Sequence, residues 1–350
     1  MKPALILDAH WRRVDELFDP DTLTALREAF DVVWAKDEPI PDDVLIDALP
    51  RTTVLVTATQ KVDRSFLDKA PLLKVVIEVS GAFPDTIDYE ACASRGIEVL
   101  SCAAGFQESV AEMALAMTLA GARGLVREHE LFRHGEEFWL DDREGRDFTV
   151  FGAQIGFVGF GAIARATHKL LIPFAPDVCV YDPWLPAEAA EKAGVTQKPL
   201  VDVMSQSQVV YLAAAPTREN RAMIGADLLN AMAPGALLVL ISRAHLIDFD
   251  ALTSVLMTGR ISAAVDVFPQ EPLASDHPIR KLPNVILSPH RAAAVPGGRQ
   301  LIGRMILADV MRIMDGKIPI DLQRASTANI AQIIGVDDAA QVASMAEQRS

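Results

Sequence analysis

Ile155-Gly156-Phe157-Val158-Gly159-Phe160-Gly161-Ala162-Ile163-Ala164 is the stretch that decides the fold. Residues 155–158 read as a buried strand, and the residues after Ala162 read as a helix running to about Leu171. Between them lies G-x-G-x-x-A. In such a turn the first glycine makes the tight bend and the second lets the backbone approach a pyrophosphate. The small third residue lets the helix pack on the strand. The phosphates then meet free N–H groups and the positive dipole end of the helix, here at Gly161, Ala162 and Ile163. Asp182 lies 23 residues beyond Gly159, at the end of a second apolar run, 178–181. A carboxylate there accepts hydrogen bonds from the adenosine ribose and repels a 2′-phosphate, which predicts NAD rather than NADP. Pro183 and Trp184 follow, with no basic pair.

The same rhythm extends on both sides. Residues 209–213, 236–241, 261–267 and 285–287 are further apolar runs, continuous rather than alternating, as strands covered on both faces are. Upstream, 4–7, 54–56, 74–79 and 97–100 read as strands. Residues 21–30 have helical spacing behind Asp19 or Asp21, and 85–95 read as a helix ended by Gly96. Alternating strands and helices predict an α/β protein with doubly wound parallel sheets. A strongly apolar helix, 109–121, separates the halves, and 141–147 reads as an exposed charged connection. After Ile320 the chain turns Ala-, Gln- and Ser-rich, a mobile or partner-packed tail too short for a further domain.

With 350 residues, half of them hydrophobic, the chain can form two domains with sizeable cores. Net charge is 33 − 47 = −14, which argues against nucleic acid and against anionic membranes. Mean hydropathy is +0.21, yet the most apolar run, 113–122, is about half the length of a membrane span. The first residues, MKPALILDAHW, show no long apolar stretch and no small-residue cleavage site. Cys92, Cys102 and Cys179 form no CxxC, which excludes a disulfide framework and a thiolate metal site and suits the cytoplasm.

Three chemically active residues follow predicted strands. Arg243 comes after 236–241, Glu271 after 261–267, and His290 after 285–287. Ligands of open parallel sheets bind at the carboxyl ends of strands, so the three can converge. Hydride transfer at a secondary alcohol needs a proton acceptor, and histidine titrates near neutral pH. A neighbouring carboxylate orients the ring, and an arginine holds a substrate carboxylate through two parallel hydrogen bonds. Taken singly, His290 reads equally as a loop residue, Arg243 as a surface charge and Glu271 as a turn residue.

Taken together they carry a resemblance. The segments Ser109-Val110-Ala111-Glu112, the dinucleotide motif with Arg165, Tyr181-Asp182-Pro183, Ser242-Arg243, Asp266-Val267-Phe268-Pro269-Gln270-Glu271-Pro272-Leu273 and Ser288-Pro289-His290 make the chain similar to the D-isomer-specific 2-hydroxyacid dehydrogenases over about residues 50 to 320. The resemblance implies a Rossmann NAD-binding domain, 104–294, inserted in a split flavodoxin-like substrate domain, 1–103 with 295–320, and a tail, 321–350. It implies Arg243 as carboxylate anchor, His290 as acid/base and Glu271 as its partner. Asp266 is expected at the nicotinamide carboxamide, with Ala214, Thr217, Ile241 and His290 along the cofactor. Ser80 and Gly81 are expected to offer backbone N–H groups to the substrate. The expected substrate is a small D-2-hydroxy or 2-keto acid, and the expected assembly a homodimer through 109–121 and the arm up to Trp139. The alternatives are an NAD-sensing corepressor on the same scaffold and a formate-type enzyme. Glu271 argues against the second, because formate enzymes of the family typically carry glutamine there.

Three departures from the family pattern stand out. Ala244 and His245 follow the arginine where a glycine is usual, and Ala213-Ala214-Ala215 replaces a His-x-Pro before Thr217. Arg291 follows His290 in place of a small residue. Arg291 reads either as a solvated charge or ion pair, or as a contact for a second anionic or hydroxylated group of the substrate. Specificity is expected from loops around His10 and Trp11, 57–60 and 80–83.

Overall fold

The computed structural model describes residues 2–9, 13–58, 60–81, 83–84, 86–140 and 147–325. His10, Trp11, Thr59, Ala82, most of the charged connection and the tail from 326 onward lie outside the described residues. The chain divides into two compact units, Met1–Gln107 with Ala293–Ser350, and Glu108–Ala292.

In the first unit β1 (Ala4–Asp8), β2 (Asp31–Val33), β3 (Thr52–Thr57), β4 (Val75–Glu78) and β5 (Glu98–Ser101) form a parallel sheet in the order β2-β1-β3-β4-β5, the flavodoxin-like order. Successive strand residues serve opposite faces. Leu5, Leu7, Val54, Val56 and Ile77 pack with Leu17, Leu26, Ile302 and Ile306. Ile6, Leu55 and Val76 pack on the other side with Phe66, Leu67 and Cys92. This two-sided burial is why the strands read as unbroken apolar runs. The edge strand β2 has no such run: Asp31 is exposed and Val32 and Val33 are only half-buried, so its sequence carries no strand signal.

Local chemistry moves several helix ends. Asp19 caps the helix Pro20–Ala29 through the Thr22 N–H at 2.9 Å, with Pro20 in the first turn. The helix expected over 85–95 is shorter, Tyr89–Ser94. Asp88 caps it, and Ile87 instead makes a bridge to Val62. In the returning segment after 295 the helix starts at Gln300, because Gly297 at φ +78° closes a turn first. At its far end the buried Asp309 accepts the N–H groups of Ile320, Asp321 and Leu322 at 2.8, 3.0 and 2.7 Å. That clamp leads the chain into Gln323–Arg324, which pairs antiparallel with β5, so the first residues of the expected tail belong to the sheet.

In the second unit β6 (Gln154–Val158), β7 (Asp177–Tyr181), β8 (Thr196–Gln197), β9 (Val209–Leu212), β10 (Leu237–Leu240), β11 (Ser262–Val265) and β12 (Val285–Leu287) are all parallel, in the order β12-β11-β10-β9-β6-β7-β8. This is the doubly wound dinucleotide-binding order with one strand added. The exposed pair β8 is too short to read as a strand. The apolar helix Gln107–Ala122 turns Ala114, Met117 and Thr118 inward. Tyr211 of β9 stacks on Phe157 of β6 with centroids 4.8 Å apart, and its hydroxyl lies 2.5 Å from Thr118 Oγ1. Burial pushes the Tyr211 hydroxyl well above the usual phenol range, and the Thr118 bond spares it the cost of an unpaired buried donor. Among the described residues no single helix is long and apolar enough to cross a membrane.

Candidate active site

The strand order of the second unit reverses at β6, which lies between β7 and β9, so the carboxyl ends of β6 and β9 mark the switch point at which open α/β sheets bind their ligands. Gly159 stands there at φ +85°. A Cβ on it would sit 2.3 Å from Ala214 Cα, so only glycine allows the loop after β9 to close against this turn. Gly161 starts the helix Ala162–Leu171 with no side-chain cap, and the space beside its Cα is open. Ala164 is fully buried at the helix–strand contact. Asp182 accepts the Phe160 N–H at 2.8 Å and the Trp184 N–H at 2.9 Å, so it braces the glycine turn from the end of β7. An uncapped helix start of ten residues, a glycine turn and a carboxylate at the next strand end fit a dinucleotide: backbone N–H groups for the pyrophosphate, Asp182 for the ribose.

The acid/base candidates follow three neighbouring strands, β10, β11 and β12. His290 Nδ1 lies 2.6 Å from Glu271 Oε2, and Glu271 Oε1 accepts the Phe268 N–H at 2.9 Å. Glu271 is nearly buried, with 8% of its side chain exposed, and His290 shows 27%. The carboxylate therefore faces the imidazole from a site with little water, and the second ring nitrogen, Nε2, is left for a reacting group. His290 has φ +51°, a left-handed conformation rare for a side chain of its size. Asp266 holds it there. Its carbonyl accepts the His290 N–H at 2.8 Å, and its fully buried carboxylate accepts the N–H groups of Arg291 at 2.9 Å and Ala292 at 3.0 Å. Asp266, expected beside the nicotinamide, is thus also the strap of the histidine loop. Arg243 follows β10, half-buried, with Nη1 donating to the Ser242 carbonyl at 2.9 Å. Ser242 is fastened by its hydroxyl to the Leu212 carbonyl of β9 at 2.9 Å.

In the loop after β9, Thr217 and Asn220 bind one another. The Thr217 N–H donates to Asn220 Oδ1, and Asn220 Nδ2 donates to the Ala215 carbonyl, both at 2.8 Å. His245 Nε2 donates to the Thr217 carbonyl at 2.7 Å. Ile241 is buried between β10 and Ser242 in sequence. Arg291 is exposed.

In the first unit the turn after β4 holds Ser80 and Gly81, whose N–H groups were expected to receive a carboxylate. Both already do so from within: they donate to Glu78 Oε1 at 2.7 Å and Oε2 at 3.1 Å. Gly81 has φ +88°, and a Cβ there would meet the Phe106 ring at 2.8 Å. Glu78, fully buried at the end of β4, was read only as part of the strand 74–79, because residue type alone does not show that backbone N–H groups converge on its carboxylate. Asn220 was missed for lack of any motif around it.

Fold and site together define a nicotinamide-dependent dehydrogenase. The profile described as "D-isomer specific 2-hydroxyacid dehydrogenase, NAD binding domain" matches residues 115–292. A glyoxylate reductase of Thermococcus gammatolerans is 32% identical over 305 residues, 84% of this chain and 90% of the relative. A glyoxylate reductase of Pyrococcus furiosus is 30% identical over 85% of this chain and 90% of its own. Among solved structures, a phosphoglycerate oxidoreductase from Rhizobium etli superposes with a TM-score of 0.82 at 33% identity, covering 93% of this chain and 99% of that one. The chain belongs to the D-isomer-specific 2-hydroxyacid dehydrogenase family and is an NAD-dependent enzyme of that family.

Proposed function

We propose that the enzyme interconverts a small 2-keto acid and its D-2-hydroxy acid with NAD(H), using His290 as acid/base, Glu271 as its orienting carboxylate and Arg243 as the anchor of the substrate carboxylate. The 2.6 Å contact between His290 Nδ1 and Glu271 Oε2 carries this reading. A bound nicotinamide would supply or accept the hydride at C2. With Nδ1 donated to Glu271, the proton delivered to the substrate oxygen in reduction, or taken from it in oxidation, travels on Nε2. The nearly buried Glu271 holds the ring by Nδ1, so that Nε2 faces the reacting oxygen. The Arg243 guanidinium meets a carboxylate in a two-pronged geometry that lysine cannot reproduce. Since the N–H groups of Ser80 and Gly81 serve Glu78, we assign the substrate carboxylate chiefly to Arg243. Asp182 at the end of β7 supports NAD over NADP through its charge. The test is NADH consumption with a panel of 2-keto acids: glyoxylate, hydroxypyruvate, pyruvate, and longer and phosphorylated analogues. Turnover of at least one, lost in His290→Gln, is expected.

We further propose a homodimer. Leu125, Phe132, Phe138 and Trp139, on and after the helix Leu125–His134, are 60–78% exposed, and the Phe132 and Trp139 rings meet edge to face at 6.2 Å, which supports an apolar contact surface here. Sedimentation should give twice the chain mass, and Phe132→Glu with Trp139→Glu should give the monomer. The three free, buried cysteines support a reducing compartment, which we take to be the cytoplasm.

A further inference from the structure

The loop after β9 runs through Ala213-Ala214-Ala215-Pro216-Thr217. Three alanines give it no side chain long enough to fasten it. Its position nonetheless matters, because Ala214 lies against the dinucleotide turn so closely that Gly159 has no room for a Cβ. A loop displaced toward Gly159 would collide with the turn; one displaced away would open it.

Backbone and side-chain bonds hold the loop from two sides. At its start the Ala213 N–H donates to the Val158 carbonyl at 2.9 Å. At its end Asn220 ties Thr217 and Ala215 together but fixes neither to the sheet. Farther on, Ile224 pairs with the segment after β10 through backbone bonds to Leu246 and Asp248 at 3.0 Å; the side-chain link to the loop itself is His245. Its Nε2 donates to the Thr217 carbonyl at 2.7 Å, and its own carbonyl accepts the Ala222 N–H at 2.8 Å. His245 stands two residues after Arg243, in the short helical turn Ala244–Leu246, flanked by the buried Ala244 and Leu246. The side chain therefore bridges the segment carrying the substrate anchor to the loop packed on the cofactor turn.

We propose that His245 is a positioning residue: through the Thr217 carbonyl it fixes the Ala213-to-Thr217 loop against Gly159, and so sets the affinity for the dinucleotide and couples it to the placement of Arg243. The two departures noted in the sequence, a loop of alanines and a histidine behind the arginine, then form one device. A loop whose three alanine side chains offer no anchor is held at its far end by a histidine from the neighbouring strand end. The coupling to Arg243 rests on the function proposed above; the effect on the dinucleotide does not.

The experiment compares His245→Ala, which deletes the donor, with His245→Gln, whose side-chain amide can place a donor near the Nε2 position. NADH binding to the full-length protein is followed by fluorescence titration, beside the melting temperature and the glyoxylate kinetics. Loss of a buried hydrogen bond whose acceptor stays buried predicts a rise of about tenfold in the NADH Kd for His245→Ala. His245→Gln should return to within about threefold of the wild type. In His245→Ala the KM for glyoxylate should rise as well, with kcat changed less. An unchanged NADH Kd in both variants, with only a lower melting temperature, would reduce His245 to a structural residue. Equal weakening in both would show that shape rather than the donor matters, and would also overturn the proposal. If wild type turns over no keto acid, the proposed reaction fails while the NADH titration still decides the role of His245.

Discussion

Replacing Asp266 by asparagine removes one charge and almost no volume, yet it should unfasten His290, the proposed acid/base. Both carboxylate oxygens of Asp266 accept backbone N–H groups, from Arg291 at 2.9 Å and Ala292 at 3.0 Å, in a fully buried place. An asparagine can accept only one of them, and its NH₂ then opposes the other N–H. The lost charge-assisted bond is worth about 1.5–3 kcal/mol, and the stranded buried donor costs about 1–3 kcal/mol more. The conformation these bonds impose, His290 at φ +51°, itself costs about 1–3 kcal/mol, so the weakened strap no longer outweighs the strain. His290 should relax toward ordinary extended backbone and leave Glu271 Oε2. Steady-state reduction by Asp266→Asn of whichever keto acid of the panel the wild type turns over should then show kcat lowered by about a hundredfold, the scale of a lost general acid. The fluorescence-measured NADH Kd should change by less than about tenfold, because the helix start at Gly161 is untouched. A kcat within twofold of wild type would refute the strap.

Three further outcomes are expected. Gly159→Ala forces a Cβ to 2.3 Å from Ala214 Cα at φ +85°, so it should weaken NADH binding by at least about tenfold and cost about 1–3 kcal/mol of stability in a urea melt. Burial holds the His168 imidazole below its ordinary value of 6.5, so the unfolded chain binds its proton first; stability should be full above that value and fall as pH drops through it, and His168→Gln should flatten urea-melt stability between about pH 7.5 and about pH 5.5. Arg291→Ala should raise KM for a hydroxylated or dianionic keto acid more than for glyoxylate; an equal effect on both would leave Arg291 a solvated charge.

How much of this was legible in the sequence follows from how local each signal is. Gly159, Gly161, Ala164 and Asp182 fall in a fixed spacing around one turn, so their placement could be read directly. The strands buried on both faces were legible because Leu5, Ile6 and Leu7 must all be apolar when alternate residues serve different cores. β2 and β8 were not, since short edge strands need no apolar run. The roles of Asp266 and Glu78 depend on where backbone N–H groups point, which no residue type reveals: the Asp266 carboxylate straps residues 25 and 26 positions away. The His245 bond spans 28 residues, from one strand end to another, and only the folded sheet brings its ends together. The clamp at Asp309 is similar: a lone acid on an apolar helix face predicts nothing until three N–H groups arrive above it.

Proton delivery by His290 is the step on which the proposed reaction depends. The direct measurement is NADH consumption by wild type and His290→Gln over the keto-acid panel, with NADH binding titrated in parallel. The wild type should reduce at least one 2-keto acid, and the variant should lose at least about a hundredfold in kcat while its NADH Kd stays within about threefold. Full activity in His290→Gln, or a wild type that binds NADH yet turns over no keto acid, would contradict it.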